Sequence, residues 1–553
     1  MPYLKSECTP EMQQAVQAVE ARSDECYCSM ALLRQPRNVA TWALLTAMAF
    51  ELETFLQQFG ADSTRHRIAL INLDRFICGF HFIALHGKPA SRLVQNYTYH
   101  GRLKVDAGFA HNVSRRYTNF LNIFPLWHKN HERMDLMPNG AVRFHIPGDS
   151  TRQRQVIAYQ QLHHPAEEIR KKRKRTGQSP EVQRLFSDLF NEARPGSRQK
   201  KFRYEPSLEL IEALRPEYQE RLDTNFRHPD TFQLNGYSLA EFKAVYVALL
   251  ILCAIHEYIC YPWPTPGQPI PESSLVMVKT RSEWVNRLHS ISGVPINACG
   301  AVVEDLTLHP ENKSFTSLCI TPFVPLGMQD GSLAVAPQFP LVSAADDNAL
   351  RQFSYTYPAL FSAQNTQKEE AMRELLRSAN PGYGMDFSIL LPDRSAEIDL
   401  LIEDQASSTV VLAELKWLRK PYKPYERIER EKDVAKGVKQ LERIREFGRA
   451  NPGFLLQRGK LSQSLDTYRM VYHILLVRDY WHWVEPGDSI AILDFDEFLP
   501  RLRESKSLAE MMTDMLRYTW LPIEDRDFHV VYHATSVNGA TIESALFLEG
   551  KRP

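Results

Sequence analysis

Apolar residues recur at helical spacing from Pro10 to about Val94, and the runs 41–52 and 68–85 predict helices. Between Gln95 and about Gln160, aromatic residues, scattered Gly and Pro and little periodicity predict no firm element. Past the Asn235–Gly236 turn, Ser238 stands as an N-cap with Glu241 three residues on, and a dense apolar run predicts a buried helix over 238–259. After the Pro-rich break at 262–271, another helix is expected over 281–292. From Ser314 the pattern turns strand-like, at 317–321 and 332–336, so the chain changes class near residue 313.

The C-terminal part reads helix in two pieces over 345–378, strands at 387–391, 397–402 and 409–417, a helix over 426–447, and short strands at 472–477 and 490–493. No internal repeat is apparent. The expected architecture is α+β and multidomain: a mostly α-helical region over 1–312, then an α/β domain over 313–553 with a mixed central sheet flanked by helices.

Strand 409–417 carries the chemistry. Glu414 and Lys416 are two apart and project from one face beside Val410 and Leu412, while Val411, Ala413, Leu415 and Trp417 face the other way. Both faces are largely apolar, as in a strand covered on both sides, where an ionised Glu and Lys are costly without partners. A metal ion and a neighbouring Asp would supply them. If strands 397–402 and 409–417 form a hairpin, Asp399 meets Glu414 near one edge, a cluster of oxygens suited to Mg2+ or Mn2+. Lys416 beside the bound water would orient or help deprotonate it and offset charge on a phosphate. The reaction implied is phosphodiester hydrolysis.

Over roughly residues 365–480 these features resemble the PD-(D/E)XK, or restriction-endonuclease-like, nuclease superfamily. Glu414-Leu415-Lys416 matches the end of the motif and Asp399 its leading Asp, with Ile398 in place of the motif's Pro. The resemblance implies an acidic residue on the preceding helix. Glu369, three residues before Met372 and so beside the buried stripe, is favoured over Glu370. It also implies a supporting Gln440 at the border of the stripe Val434, Val438, Leu441 and Ile444, although Ile444 stands where branches with this Gln carry Tyr. The expected metal ligands are therefore Asp399, Glu414 and Glu369.

Composition adds limits and one further candidate. The chain has 553 residues, and its 66 Lys+Arg balance 66 Asp+Glu, so global charge points to no class of partner. Residues 151–203 nevertheless hold fourteen Lys/Arg against five Asp/Glu, densest at Arg170, Lys171, Lys172, Arg173, Lys174 and Arg175. Clustered cations of this kind are either a solvated surface or a phosphate-contacting patch.

Eight cysteines, from Cys8 to Cys319, do not look like a disulfide framework, so reduced thiols are expected. The N-terminus lacks the layout of a secretion signal, and the apolar stretch 245–255 is well short of the roughly 20 residues of a membrane span. A cytoplasmic protein without a membrane partner is expected. His256-Glu257 begins like a zinc-protease helix, but Cys260 replaces the second His. Cys253, His256 and Cys260 share a helix face, with Cys299 as a conceivable fourth zinc ligand, yet buried thiols are the commoner reading. Gly453 to Lys460 has the wrong spacing for a phosphate loop, with Leu461 where Ser or Thr is required.

The leading expectation is a metal-dependent nuclease, a DNA endonuclease rather than one acting on RNA as most relatives act on DNA, with the N-terminal region recognising substrate, partner or both; a homo-oligomer or partner proteins are left open. By analogy alone it would serve antiphage defence or genome maintenance. The alternative is a catalytically inactive relative that binds nucleic acid or scaffolds an assembly. A less favoured third is a helical interaction platform dimerised through its C-terminal domain.

Overall fold

A computed structural model describes residues 3–59, 78–91, 99, 101–145, 151–162, 179–192, 204–225, 229–260, 275–311, 318, 320–342, 353–354, 356–379, 382–418, 424–478 and 490–550. Helices dominate the first half: α1 (Pro10–Asp24), α2 (Arg37–Phe59), α3 (Cys78–His86), α4 (Gly101–His128), α5 (Thr151–Leu162), α6 (Pro180–Glu192), α7 (Leu208–Asn225), α8 (Leu239–Cys260), α9 (Arg281–Ser292) and α10 (Ile296–Asp305). The stretch 95–160, expected to hold no firm element, contains α4, most of α5 and strands β1 (Arg133–Leu136) and β2 (Val142–His145). The buried face of α4 does carry a helical stripe, Val113, Tyr117, Phe120, Phe124 and Trp127, but Ala107, Ala110, His111, Ser114 and Thr118 are buried beside it and Pro125 lies inside the helix, which obscures the periodicity.

In α8 the expected capping box forms: the Ser238 N–H donates to Glu241 Oε2 at 2.7 Å, and the Glu241 N–H donates to Ser238 Oγ at 3.2 Å. This helix is longer than its apolar heart, and by length and composition it could cross a membrane. Of its most apolar 18-residue window, 78% is buried within the protein, against α7, α9 and α10, as in a core helix. Helix α9 starts at the Thr280–Glu283 capping box and stops at Gly293, whose φ of 71° suits a residue without a Cβ.

The expected division at residue 313 is crossed by a sheet. Strand β3 (Met277–Thr280) pairs antiparallel with β5 (Ser332–Val335), which also holds β4 (Val324–Pro325). Leu333, Val335 and Phe353 accordingly join the core of α7–α10. The strand expected at 317–321 is not seen where it is described: Leu318 and Ile320 are in turns, and pairing starts only past Pro322, which has no N–H to offer.

Next in the chain comes the sheet that matters for chemistry. Helix α11 (Asn365–Ala379) leads into β6 (Gly384–Leu390), β7 (Glu397–Asp404) and β8 (Thr409–Trp417), α12 (Pro424–Ala450), β9 (Met470–Arg478) and β10 (Ala491–Asp494). The sheet order is β10-β9-β8-β7-β6, with β6, β7 and β8 antiparallel to their neighbours and β8, β9 and β10 parallel. Asp404 shapes the β7–β8 turn by accepting from the N–H groups of Ala406 and Ser407 at 3.0 and 3.2 Å.

Val410, Leu412 and Leu475 pack on one face under Val434, Leu441 and Ile444 of α12. On the other face Val411, Ala413 and Leu415 meet Met372 and Leu376 of α11, with α13 (Phe495–Glu504) and α14 (Leu508–Leu516). The alternation expected of 409–417 is therefore present.

The last strands, β11 (Phe528–Val537) and β12 (Ala540–Glu549), do not join this sheet. They form a hairpin on Asn538 and Gly539, both at positive φ as a two-residue hairpin turn demands, and β12 pairs parallel with β2. Thus the C-terminal end packs with the N-terminal region, and 313–553 is not one packing unit.

Candidate active site

The antiparallel ladder between β7 and β8 runs from Asp404↔Thr409 to Leu400↔Ala413 and stops there. One residue further, Asp399 stands across from Glu414. Its side chain replaces the lost backbone partner: the Leu415 N–H donates to Asp399 Oδ2 at 2.9 Å. The parting of two strands thus places one carboxylate by the backbone and the other by strand alternation, and both are buried.

Lys416 Nζ lies 2.5 Å from Glu414 Oε1. The other oxygen, Glu414 Oε2, is buried and meets no donor among the described residues. Burial drives the Glu414 carboxyl up to about 8, Asp399 adds to the shift, and Lys416 opposes it. For Lys416, burial works against the charge, yet Glu414, Asp399 and Glu369 outweigh it and hold the ammonium above its ordinary value.

Glu369 sits half-buried on α11, with Glu370 exposed beside it. Burial and then the charge of Asp399 raise the Glu369 carboxyl, while Lys416 and Arg373 pull it back. Glu370 instead pairs with Arg377 at 2.6 Å, which holds it below the usual range. Among the described residues, however, no three His, Cys, Asp or Glu side chains gather as a group able to hold one ion. The expected trio of Asp399, Glu414 and Glu369 is therefore not assembled. Asp399 and Glu414 adjoin, while Glu369 senses them from the helix.

A cation that sequence reasoning missed stands in that place. Arg373, one turn beyond Glu369, is buried and puts Nη2 3.1 Å from Asp399 Oδ1. Its spacing of four from Glu369 was the available signal.

Gln440 lies half-buried on α12 and makes no hydrogen bond with Asp399, Glu414 or Lys416. The basic run Arg170 to Arg175 falls outside the described residues. On α8, the ring of His256 is already engaged, Nδ1 with Tyr204 Oη at 2.7 Å and Nε2 with Cys260 Sγ at 3.3 Å. Cys299 lies against the Val294 carbonyl instead, so the conceivable zinc quartet does not form. The described cysteines are free thiols, most of them buried.

The donor set nevertheless suits a hard divalent cation. Mg2+ is commonly held by one or two carboxylates with waters and substrate phosphates completing its shell. A buried carboxylate oxygen without a donor, beside a second carboxylate, is the kind of acceptor such an ion satisfies.

The raised Glu414 carboxyl has a thermodynamic consequence. Because the folded state binds this proton more tightly than the ordinary value of 4.5 allows, its contribution to stability is full below that value and is lost as pH rises through about 8. With chelator present, the melting temperature of the wild type relative to Glu414→Gln is expected to fall across this window. Equal pH profiles for the two proteins would rule out a carboxyl so displaced.

No protein-family model matches the chain, and comparison with curated proteins and with solved structures finds no match.

Proposed function

We propose that the protein is a metal-dependent nuclease with a restriction-endonuclease-like catalytic core, hydrolysing phosphodiester bonds, in DNA rather than RNA. One observation carries this reading: the Glu414 carboxylate is enclosed between two packed layers with one oxygen lacking a donor, next to Asp399 and Lys416. Such a group is costly in a purely structural strand. The helix, three antiparallel strands, helix and parallel strand that surround it support the same reading.

Asp399 and Glu414 would hold Mg2+ or Mn2+. Bound there, the ion supplies Lewis-acid polarisation of a phosphoryl oxygen and a more acidic water. Lys416, kept protonated by Glu414, donates hydrogen bonds to the attacking water and to phosphate oxygens, offsetting the charge that grows in the transition state. Glu369, half-buried on α11, would accept a proton from that water directly or through a second water. The basic 170–175 segment would add phosphate contacts whose strength falls with salt.

A second reading is favoured by Arg373: a guanidinium beside Asp399 already supplies a neutralising charge, as in a relative that keeps the fold and only binds or scaffolds. Incubating the purified protein with supercoiled, linear and single-stranded DNA and with RNA separates the two. Nicking that requires Mg2+ or Mn2+ and stops with chelator is expected. Salt-sensitive binding without turnover under every metal condition would select the second reading.

A further inference from the structure

The two oxygens of Asp399 are held in different ways. Oδ2 is fixed by a backbone N–H of β8, which cannot move without the strand. Oδ1 accepts from a side chain, Arg373 Nη2 at 3.1 Å, and the Asp399 carboxylate also shares a hydrogen bond with the raised Glu414 carboxyl. The Arg373 contact is one-pointed, whereas a forked carboxylate–guanidinium pair is the stronger arrangement. The rest of the guanidinium is loosely used. Nε is buried without a partner, Nη1 lies 3.4 Å from Glu370 Oε2, and Nη2 lies 3.9 Å from Glu397 Oε1. Two further carboxylates, both partly exposed, therefore stand within reach, Glu397 and Glu370, the latter keeping its 2.6 Å pair with Arg377 through the other oxygen.

We propose that Arg373 is a positioning residue that serves as a displaceable counter-ion: it neutralises Asp399 until a divalent cation enters, then moves onto Glu370 and Glu397. This rests on the reading of Asp399 and Glu414 as metal ligands. A cation bound to Asp399 and a guanidinium on the same carboxylate repel one another inside a low-dielectric site, so the two states compete. The pair also explains how a buried carboxylate is tolerated before metal arrives, since an unpaired one would be strongly destabilising.

Calorimetric titration of the full chain with Mn2+ alone tests this without any measurement of cleavage. Removing the competitor in Arg373→Gln should tighten Mn2+ binding about tenfold or more, the least expected from an Asp–Arg pair. Arg373→Lys, which keeps the charge, should restore the weaker binding. A role limited to holding the fold would lower affinity, not raise it. Equal or weaker binding by Arg373→Gln, while the wild type binds and Asp399→Asn does not, overturns the counter-ion role and leaves the metal site standing. Absence of Mn2+ binding in both the wild type and Arg373→Gln overturns the metal reading together with it.

If Arg373→Gln fails to fold, the receiving side provides the test. The double variant Glu370→Gln/Glu397→Gln alters partly exposed side chains and gives the released guanidinium nowhere to go. It should weaken Mn2+ binding by about tenfold. Unchanged Mn2+ affinity in that double variant overturns the proposal.

Discussion

Lys416→Ala is expected to lower Mg2+-dependent cleavage by about 10²–10⁴-fold, the range for losing one positioned proton-transfer or charge-stabilising group. Lys416 is the cation placed on Glu414 itself, and its side chain is partly exposed, whereas that of Glu414 is buried. Glu414→Gln should be as damaging for a different reason. It keeps shape and hydrogen-bonding capacity but removes the charge that attracts a metal. The informative contrast is in stability. Above about pH 8, where the Glu414 carboxyl is ionised, Glu414→Gln relieves a buried carboxylate and should not lower the melting temperature, whereas Lys416→Ala strips Glu414 of its counter-charge and should lower it. Initial rates of plasmid nicking, paired with thermal melts, check both halves. Cleavage at wild-type rate by either variant would remove that residue from the chemistry.

The second large effect lies far from those carboxylates. Ending the chain after Asp527 removes β11 and β12, and with them Val537, Ala540 and Ile542 from the core built by α1–α4, and Phe528 and Phe547 from the cluster with Ile157 and Ala158 of α5. It also cuts the Arg143–Glu543 ion pair at 2.6 Å and the hydrogen bond from Asn119 to Thr535 at 3.0 Å. Burying one large apolar side chain is worth about 1.5–3 kcal/mol, so losing several together rivals the roughly 5–15 kcal/mol that holds a domain folded. The truncated protein is expected to lose the cooperative unfolding of its N-terminal region, followed by circular dichroism and limited proteolysis. The central sheet, which takes no strand from the hairpin, should keep its protection. Identical melting of the truncated and full chains would show that the hairpin is not a structural part of that region.

Local pattern carried a large share of what is seen. Strand 409–417 was legible because alternation marks a strand covered on both sides, and α8 because the Ser238–Glu241 capping box opens a dense apolar run. Asp399, Glu414 and Lys416 were legible as candidates because charges inside an apolar strand are anomalous. Helix α4 was not: its stripe Val113, Tyr117, Phe120, Phe124 and Trp127 is obscured by buried Ala, Ser, Thr and His and by Pro125 inside the helix. The β11–β12 hairpin carried its own signal in Asn538–Gly539, but nothing local shows that it pairs with β2 nearly four hundred residues earlier.

By itself the sequence determined the strongest periodicities: the helix 238–259, the strands 397–402 and 409–417 with their apolar faces, and the acidic residues Asp399 and Glu414 inside them. Those follow from geometry that each residue shares with neighbours a few positions away. The tertiary structure alone decided that β7 and β8 part at Leu400↔Ala413, that the Leu415 N–H therefore turns to Asp399, and that Arg373 of α11 reaches the same carboxylate. Those outcomes depend on where a helix and two strands end relative to one another. Such distances are set by packing across the whole sheet and leave no trace in the spacing of residues along one segment.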